Sequence, residues 1–270
     1  MPRYFSLLLL FLISHNLLLS NDNARSPGGK RVIEAQRTDA HITIDGVQDE
    51  GAWNNAKVAE GFTQFEPFNG ASPSLDTGVR ILFDDNAIYI GATLYDDDPS
   101  KIFRELGYRD NTDMLKTDIF AVLISPYNDG INYFEFAVSA SGVQTDKRYT
   151  GETTDISWNE AWYSKVLITD FGWVVEMKIP FSALRFSKRT AENWGINFRR
   201  LIKRYNEWSS WNPMDNSILG IVNQSGELAG IRDIVPPVRL SFSPYIATYL
   251  NKFPDSKSFS PQINGGLDLK

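Results

Sequence analysis

Cysteine is absent from the 270-residue sequence, which excludes disulfides, a thiolate metal site and a cysteine nucleophile. Histidine is almost absent: His15 lies in an apolar leader, which leaves His41 alone for imidazole chemistry or a zinc site. Positive charge is not in excess. The formal net charge is −6, so a general nucleic-acid binder is not expected. No Gly-x-Ser-x-Gly, His-Glu-x-x-His or phosphate-binding loop occurs, and His41, Met114 and Met177 are a poor supply of haem ligands. A long 3.6-residue periodicity is also missing between residues 62 and 211, which excludes a helical bundle. What remains is a chain with 42% hydrophobic and 13% aromatic residues, enough to build a sizeable core without cross-links.

The two ends carry separate signals. Arg3 followed by the apolar run over residues 5–13 reads as a secretory signal peptide over 1–20, too short and broken for a membrane span. Residues 21–31 read as a flexible linker. At the other end, Leu240, Phe242 and Ile246 alternate with Arg239, Ser241 and Ser243. After a polar loop, Ile263, Leu267 and Leu269 alternate with Asn264 and Asp268. Each run has the pattern and the ~10-residue length of a transmembrane β-strand. Residues 238–270 are therefore expected to form the first strands of an outer-membrane β-barrel, with a soluble C-terminal hairpin as the plainer alternative.

Alternation dominates the middle. Val79, Ile81 and Phe83, the Asp84-Asp85-Asn86 turn, then Ile88, Ile90 and Leu94 predict a β-hairpin. Residues 118–125 and 131–139 predict a second across Asn128-Asp129-Gly130, and residues 162–169 and 173–179 a third across Asp170-Phe171-Gly172. Ile179 to Leu184 reads as a strand end capped by a helical turn. Trp194, Ile196 and Phe198 line a further strand. About ten short strands separated by turn residues indicate an all-β, jelly-roll-like β-sandwich over residues 32–235.

The segment Ile42 to Trp53 opens that domain with a short strand at Ile42–Ile44, a turn at Asp45-Gly46, and a helical turn starting at Asp49-Glu50 that drops Trp53 into a core. The series Ile44-Asp45-Gly46, Asp49-Glu50, Trp53, Val79 to Phe83, Ile88-Tyr89-Ile90, Asp118-Ile119-Phe120, Gly172-Trp173, Glu176, Ile179-Pro180-Phe181 and Trp194 to Arg200 resembles carbohydrate-binding module family 9. The nearest resemblance is to the family-9-like domains at the front of bacterial outer-membrane barrel proteins. It implies a β-sandwich that holds the end of a sugar chain between two Trp rings, often with structural calcium. Trp211 falls near the second ring. At the first ring position, just before Asp118, this chain has Met114 and Leu115, and where the family can place an Arg on the strand over 131–139 it has Glu135.

The candidate sugar-binding residues are therefore Trp211, Trp158, Trp162, Trp208 and Arg204, set against packing roles for the rings; the basic run Arg199, Arg200, Lys203 and Arg204 reads as a solvated face, with recognition of an acidic sugar or lipid headgroup as the sharper alternative. Trp53, Trp173 and Trp194 read as core. Asp84, Asp96 and Asp98, in acidic turns, are the candidate calcium ligands, against a role as solvated turn acids. The expected function is an exported, non-catalytic module that takes a poly- or oligosaccharide, with its own C-terminal barrel as partner, on the periplasmic or cell-surface side of the outer membrane. Two alternatives stay open: a docking cap that binds no sugar, and a hydrolase of O-glycosyl bonds. For the latter Glu135, Glu160, Glu176 and Asp118 are the carboxylates on offer, with nothing to fix their separation.

Overall fold

A computed structural model describes residues 29–186, 193–218, 220–235, 242–251 and 259–269. The expected signal peptide, most of the linker and parts of the C-terminal segment lie outside the described residues. The strands are β1 (Val32–Glu34), β2 (Gln36–Arg37), β3 (Val58–Ala59), β4 (Thr63–Glu66), β5 (Thr77–Phe83), β6 (Ala87–Tyr95), β7 (Ile119–Ser125), β8 (Asn132–Ser139), β9 (Gln144–Thr150), β10 (Thr153–Asp155), β11 (Tyr163–Thr169), β12 (Gly172–Pro180), β13 (Trp194–Ile202), β14 (Glu207–Ser210), β15 (Gly226–Ala229), β16 (Phe242–Asn251) and β17 (Ser260–Leu269).

Two sheets make a sandwich. The larger has nine strands in the order β1-β15-β13-β7-β8-β9-β10, with β14 and β4 continuing from β13. The smaller has six, β11-β12-β6-β5-β2, with β3 also on β5. The three expected hairpins are β5/β6, β7/β8 and β11/β12, all antiparallel. The third depends on Gly172: at φ +141° with Leu94 O only 2.1 Å from where a Cβ would stand, no other residue fits. Phe120, Val122 and Ile124 of β7, Phe134, Phe136 and Val138 of β8, and Trp194, Ile196 and Phe198 of β13 point inward. They meet Val79, Ile81, Ile90, Trp173 and Val175 of the smaller sheet in one core. Inward apolar residues at every second position are what the alternation demands.

Two expectations need correction. Ile42–Ile44 forms no strand. Its Thr43 N–H donates to Glu50 Oε1 (2.8 Å) rather than to a ladder. The helical turn is a 3₁₀ turn at Trp53–Asn55, starting after Glu50 rather than on it. Trp53 is buried as expected, but on the outer face of the smaller sheet with Ile42, Leu82 and Tyr89. Glu50 Oε2 accepts its indole N–H at 3.1 Å.

That outer layer is pinned by Glu176, fully buried on β12, whose Oε2 accepts the Gly46 and Asp45 N–H groups at 2.8 and 3.1 Å. Burial pushes its carboxyl up to about 7, and burial pushes that of Asp118, at the start of β7, up to about 6. A folded-state value above the unfolded one means that the stability contribution is complete below the unfolded value and is lost as pH rises through the folded one. The fold should therefore lose stability between about pH 4 and 7, with a slope of up to ~1.4 kcal/mol per pH unit for each group. Urea titrations across that range should show the decline, and Glu176→Gln should flatten its upper part; an unchanged profile in the variant refutes the assignment to Glu176.

β16 and β17 pair antiparallel over ten residues each as a separate two-stranded sheet. The expected alternating runs thus exist as strands. Among the described residues no helix is long and apolar enough to cross a membrane, which has no bearing on strands.

Candidate outer-face binding site

The residues of the larger sheet that point away from the core form a second surface. Ile119, Ala121 and Leu123 of β7, Tyr133, Glu135 and Ala137 of β8, Lys147 and Tyr149 of β9, and Arg199 and Leu201 of β13 alternate with the inward set. Most of them fall in two small apolar clusters outside the core, with Trp208 of β14 packed against one and Tyr149 against the other. The register sets Arg199 opposite Ala121, Ala121 opposite Ala137, and Glu135 opposite Lys147. Two alanines in the middle of the face leave room above them for long side chains from either side.

Arg199 uses that room. Its Nη2 donates to Glu135 Oε2 at 2.7 Å, and the Tyr149 hydroxyl donates to the same oxygen at 2.8 Å. Both partners are largely buried, 13% and 5% exposed at the side chain. Burial works against the Arg199 charge, but Glu135 and the two tyrosines beside it outweigh that, and its guanidinium is held above its ordinary value. Burial raises the Tyr133 and Tyr149 hydroxyls, and their rings stack at 4.1 Å. On one side Arg199 lies 5.5 Å from the Trp208 ring centroid, and Phe65 of β4 stacks on that ring at 6.1 Å. On the other, Lys147 pairs with Asp113, next to the exposed Met114. Among the described residues the Arg199 Nε finds no hydrogen-bond partner. The result is a polar cluster beside a partly exposed indole, with an arginine, a carboxylate and a phenol in fixed positions.

The sequence-predicted residues are scattered by comparison. Trp211 is fully buried: its ring lies 5.8 Å from Phe198 in the core, in space left by Gly226, where a Cβ would come within 2.6 Å of it. Trp158 packs on Phe134 and Phe136 at 4.9 and 5.7 Å. Trp162 packs on Phe136 at 5.5 Å, its indole N–H donating to Asp146 at 3.2 Å. All three are buried in packing roles, which corrects their expected role as exposed platforms; Trp162 keeps only an edge on a surface groove. Trp208 alone of the four stays partly exposed. Arg204 is taken up by a two-pronged ion pair with the buried Asp96, at 2.7 and 2.9 Å, which removes it from the sugar-binding set and Asp96 from the calcium set. Asp84 caps the β5/β6 turn, accepting the Asn86 and Ala87 N–H groups (2.7 and 2.8 Å) and the Tyr89 hydroxyl (2.9 Å). The Ser100 hydroxyl and Lys101 bind Asp98 and hold its carboxyl below the usual range. The three acids thus serve three separate local networks, and among the described residues no three His, Cys, Asp or Glu side chains converge to hold a metal.

The carboxylates considered for glycoside hydrolysis are also dispersed. Glu135 lies on the outer face of the larger sheet, Glu176 on that of the smaller, Asp118 is buried beneath the Lys203 N–H (3.0 Å), and Glu160 sits before β11. Sequence reasoning misses Tyr133 and Tyr149, and it reaches Arg199 only as one member of the basic run. The signal available was the alternation of β13, which sets Arg199 opposite Phe198.

A family model described as "Carbohydrate family 9 binding domain-like" matches residues 44–218. Among solved structures, a family 9 carbohydrate-binding module from Caldicellulosiruptor kristjanssonii in complex with glucose is 18% identical, covers 77% of this chain and 100% of its own, and superposes with a TM-score of 0.53. The same module in complex with cellotriose gives 0.54 at the same identity and coverage. A protein from Bacteroides uniformis gives 0.59 at 13% identity, covering 74% of this chain and 99% of its own. At these identities the likeness shows the fold. No curated protein matches.

Proposed function

The chain belongs to the carbohydrate family 9 binding domain-like family, and from that premise we propose that it is a non-catalytic carbohydrate-binding module that receives an oligosaccharide on the outer face of the larger sheet. The observation that carries this is the buried Arg199–Glu135–Tyr149 network beside Trp208. Sugars present hydroxyls that both donate and accept, and C–H faces that pack on flat or soft apolar groups. A fixed guanidinium and carboxylate answer the first need with charge-assisted hydrogen bonds; Trp208 and Met114 answer the second, as walls rather than a two-ring clamp. The complexes of the Caldicellulosiruptor kristjanssonii module with glucose and cellotriose support neutral β-linked glucose chains as the first ligands to try. Isothermal titration of the full chain with cellotriose and a panel of neutral oligosaccharides should give saturable binding with at least one. Absence of binding below the millimolar range across the panel overturns the reading.

The same reading places the module outside the cell's inner compartment, ahead of an outer-membrane barrel. The β16/β17 hairpin supports it by how its two faces sort. Pro244, Ile246, Leu250, Pro261, Ile263 and Leu267 share one face; Ser243, Asn251, Gln262, Asn264 and Asp268 share the other with Tyr245 and Tyr249. Ile246, Leu250, Ile263 and Leu267 are 58–82% exposed, an apolar face left open among the described residues. Apolar-out and polar-in alternation over ~10-residue strands is the barrel arrangement. A lysine at Ile246 then costs about 2–4 kcal/mol if it falls near the bilayer midplane. Expressed with its leader, the wild-type protein should fractionate with outer membranes and Ile246→Lys should be depleted there, whereas Asn264→Lys should not. Equal fractionation of the two variants contradicts a lipid-facing Ile246.

A further inference from the structure

A second surface carries features that the outer-face site leaves unused. A groove runs along the free edge of β11, between it and the segments 102–109 and 140–144. Its main section has a volume of about 750 Å³ and is lined by Ile102, Arg104, Leu106, Ser141, Lys165 and Val166, among others. It continues past Arg109 and Gln144 through a section of about 530 Å³ that shares Ser141 and Ser164 with the first. It ends in a section of about 560 Å³ at His41, Thr43, Tyr163 and Lys178, sharing Gln144 and Ser164 with the second. Each section is of a size that encloses a small ligand, and their continuity suits a chain.

The charge of the groove is the point. The chain has 33 acidic residues against 27 basic ones, yet none of the three sections is lined by an Asp or Glu, while Arg104, Arg109, Lys165 and Lys178 line them. Arg109 is fixed by its ion pair with the buried Asp146 and by a hydrogen bond to Glu160 O at 3.0 Å. Arg104, Lys165 and Lys178 make no ion pair among the described residues. Between the cations stand neutral hydrogen-bonding groups, Ser141, Gln144 and Ser164. The Gln144 Nε2 donates to Ser164 Oγ at 2.9 Å and ties the two walls together. Tyr163, 59% exposed, adds a ring at the far end. Cations spaced along a groove, with neutral donors and acceptors between them, match a polymer that alternates negative charge with hydroxyls.

We infer that the β11 groove is a second glycan site, separate from the outer face, and that its ligand is an anionic oligosaccharide bearing carboxylate or sulfate groups. The inference rests on the carbohydrate-binding reading above, and the test separates the two. The full chain is titrated with oligogalacturonate, with a sulfated oligosaccharide, with cellotriose and with polyglutamate, at low and at physiological salt. Binding of at least one anionic oligosaccharide is expected, weakening with salt. Arg104→Gln/Lys165→Gln, both at exposed positions, should leave the melting temperature unchanged, lower that affinity about tenfold and leave cellotriose binding within twofold. Trp208→Ala should do the reverse. The carboxylated and sulfated probes identify which acid is preferred. Polyglutamate binding as tightly as the sugars would mean that the groove takes an extended peptide along β11 or merely senses charge, and overturns the glycan assignment. So does anionic binding that the double substitution leaves unchanged. Failure of the whole neutral panel, with an anionic oligosaccharide still bound, would overturn the outer-face reading without touching the groove.

Discussion

Arg199→Met should destabilise the fold by about 3–5 kcal/mol and remove oligosaccharide binding altogether. The guanidinium and Glu135 are both largely out of solvent, and withdrawing one partner strands the other as a buried charge. Tyr149 can still donate to Glu135 and Lys147 stands opposite it in the register, so the lower half of the range is the better expectation. The double variant Glu135→Leu/Arg199→Met should regain most of the loss, because an apolar pair leaves no uncompensated charge. It should still bind no sugar, which separates the stability role of the pair from its ligand role. Urea unfolding of the single and double variants decides the matter. A single-variant cost under 1 kcal/mol would mean that the pair is screened like an ordinary surface bridge.

Trp208→Ala should weaken binding of a neutral oligosaccharide about thirtyfold, the loss of ~2 kcal/mol typical of an aromatic anchor. The indole has Phe65 on one side and Arg199 within 5.5 Å, and of the four candidate Trp rings it alone is partly exposed. Trp211→Phe should leave affinity unchanged and cost stability instead, because that ring fills core space beside Phe198 and Gly226. The two substitutions thus have opposite signatures in titration and in melting. If Trp211→Phe weakens binding and Trp208→Ala does not, the site has been placed on the wrong ring.

The contrast between these two tryptophans shows what the sequence makes legible. Hairpins such as β5/β6 are readable because seven or more alternating residues flank an Asp-rich turn whose side chains close it, as Asp84 does. Strands of two to four residues, β1 to β4, β14 and β15 among them, are not, since they are too short to display a period. Trp208 lies on one of these short strands. Trp211 sits in Ser209-Ser210-Trp211-Asn212-Pro213, the composition of an exposed loop. What buries it is distant in sequence: its N–H donates to Phe198 O at 3.0 Å, Asn212 N–H donates to Asn197 Oδ1 at 2.8 Å, and Gly226 vacates the space.

The Arg199–Glu135 pair is hidden from the sequence for a related reason. Glu135 read as a departure from the family pattern, and Arg199 as one of several solvated cations. Only the register, which sets β13 beside β7 and β7 beside β8, brings them within 2.7 Å over two alanines. The basic run divides three ways: Arg199 goes to the outer face, Arg200 into the interior against Asp76 O and Tyr95 O at 2.8 and 2.7 Å, and Arg204 to Asp96. Alternation predicts the first division; the other two depend on where the opposite sheet ends.

The most direct test of the central claim is a crystal structure of the full chain with cellotriose, or with whichever neutral oligosaccharide the titrations select. The prediction is a sugar ring over Ala121 and Ala137, with hydroxyls within hydrogen-bonding distance of Arg199 and Glu135 and a C–H face against Trp208 or Met114. A neutral sugar bound in the β11 groove, with the outer face empty, would contradict it.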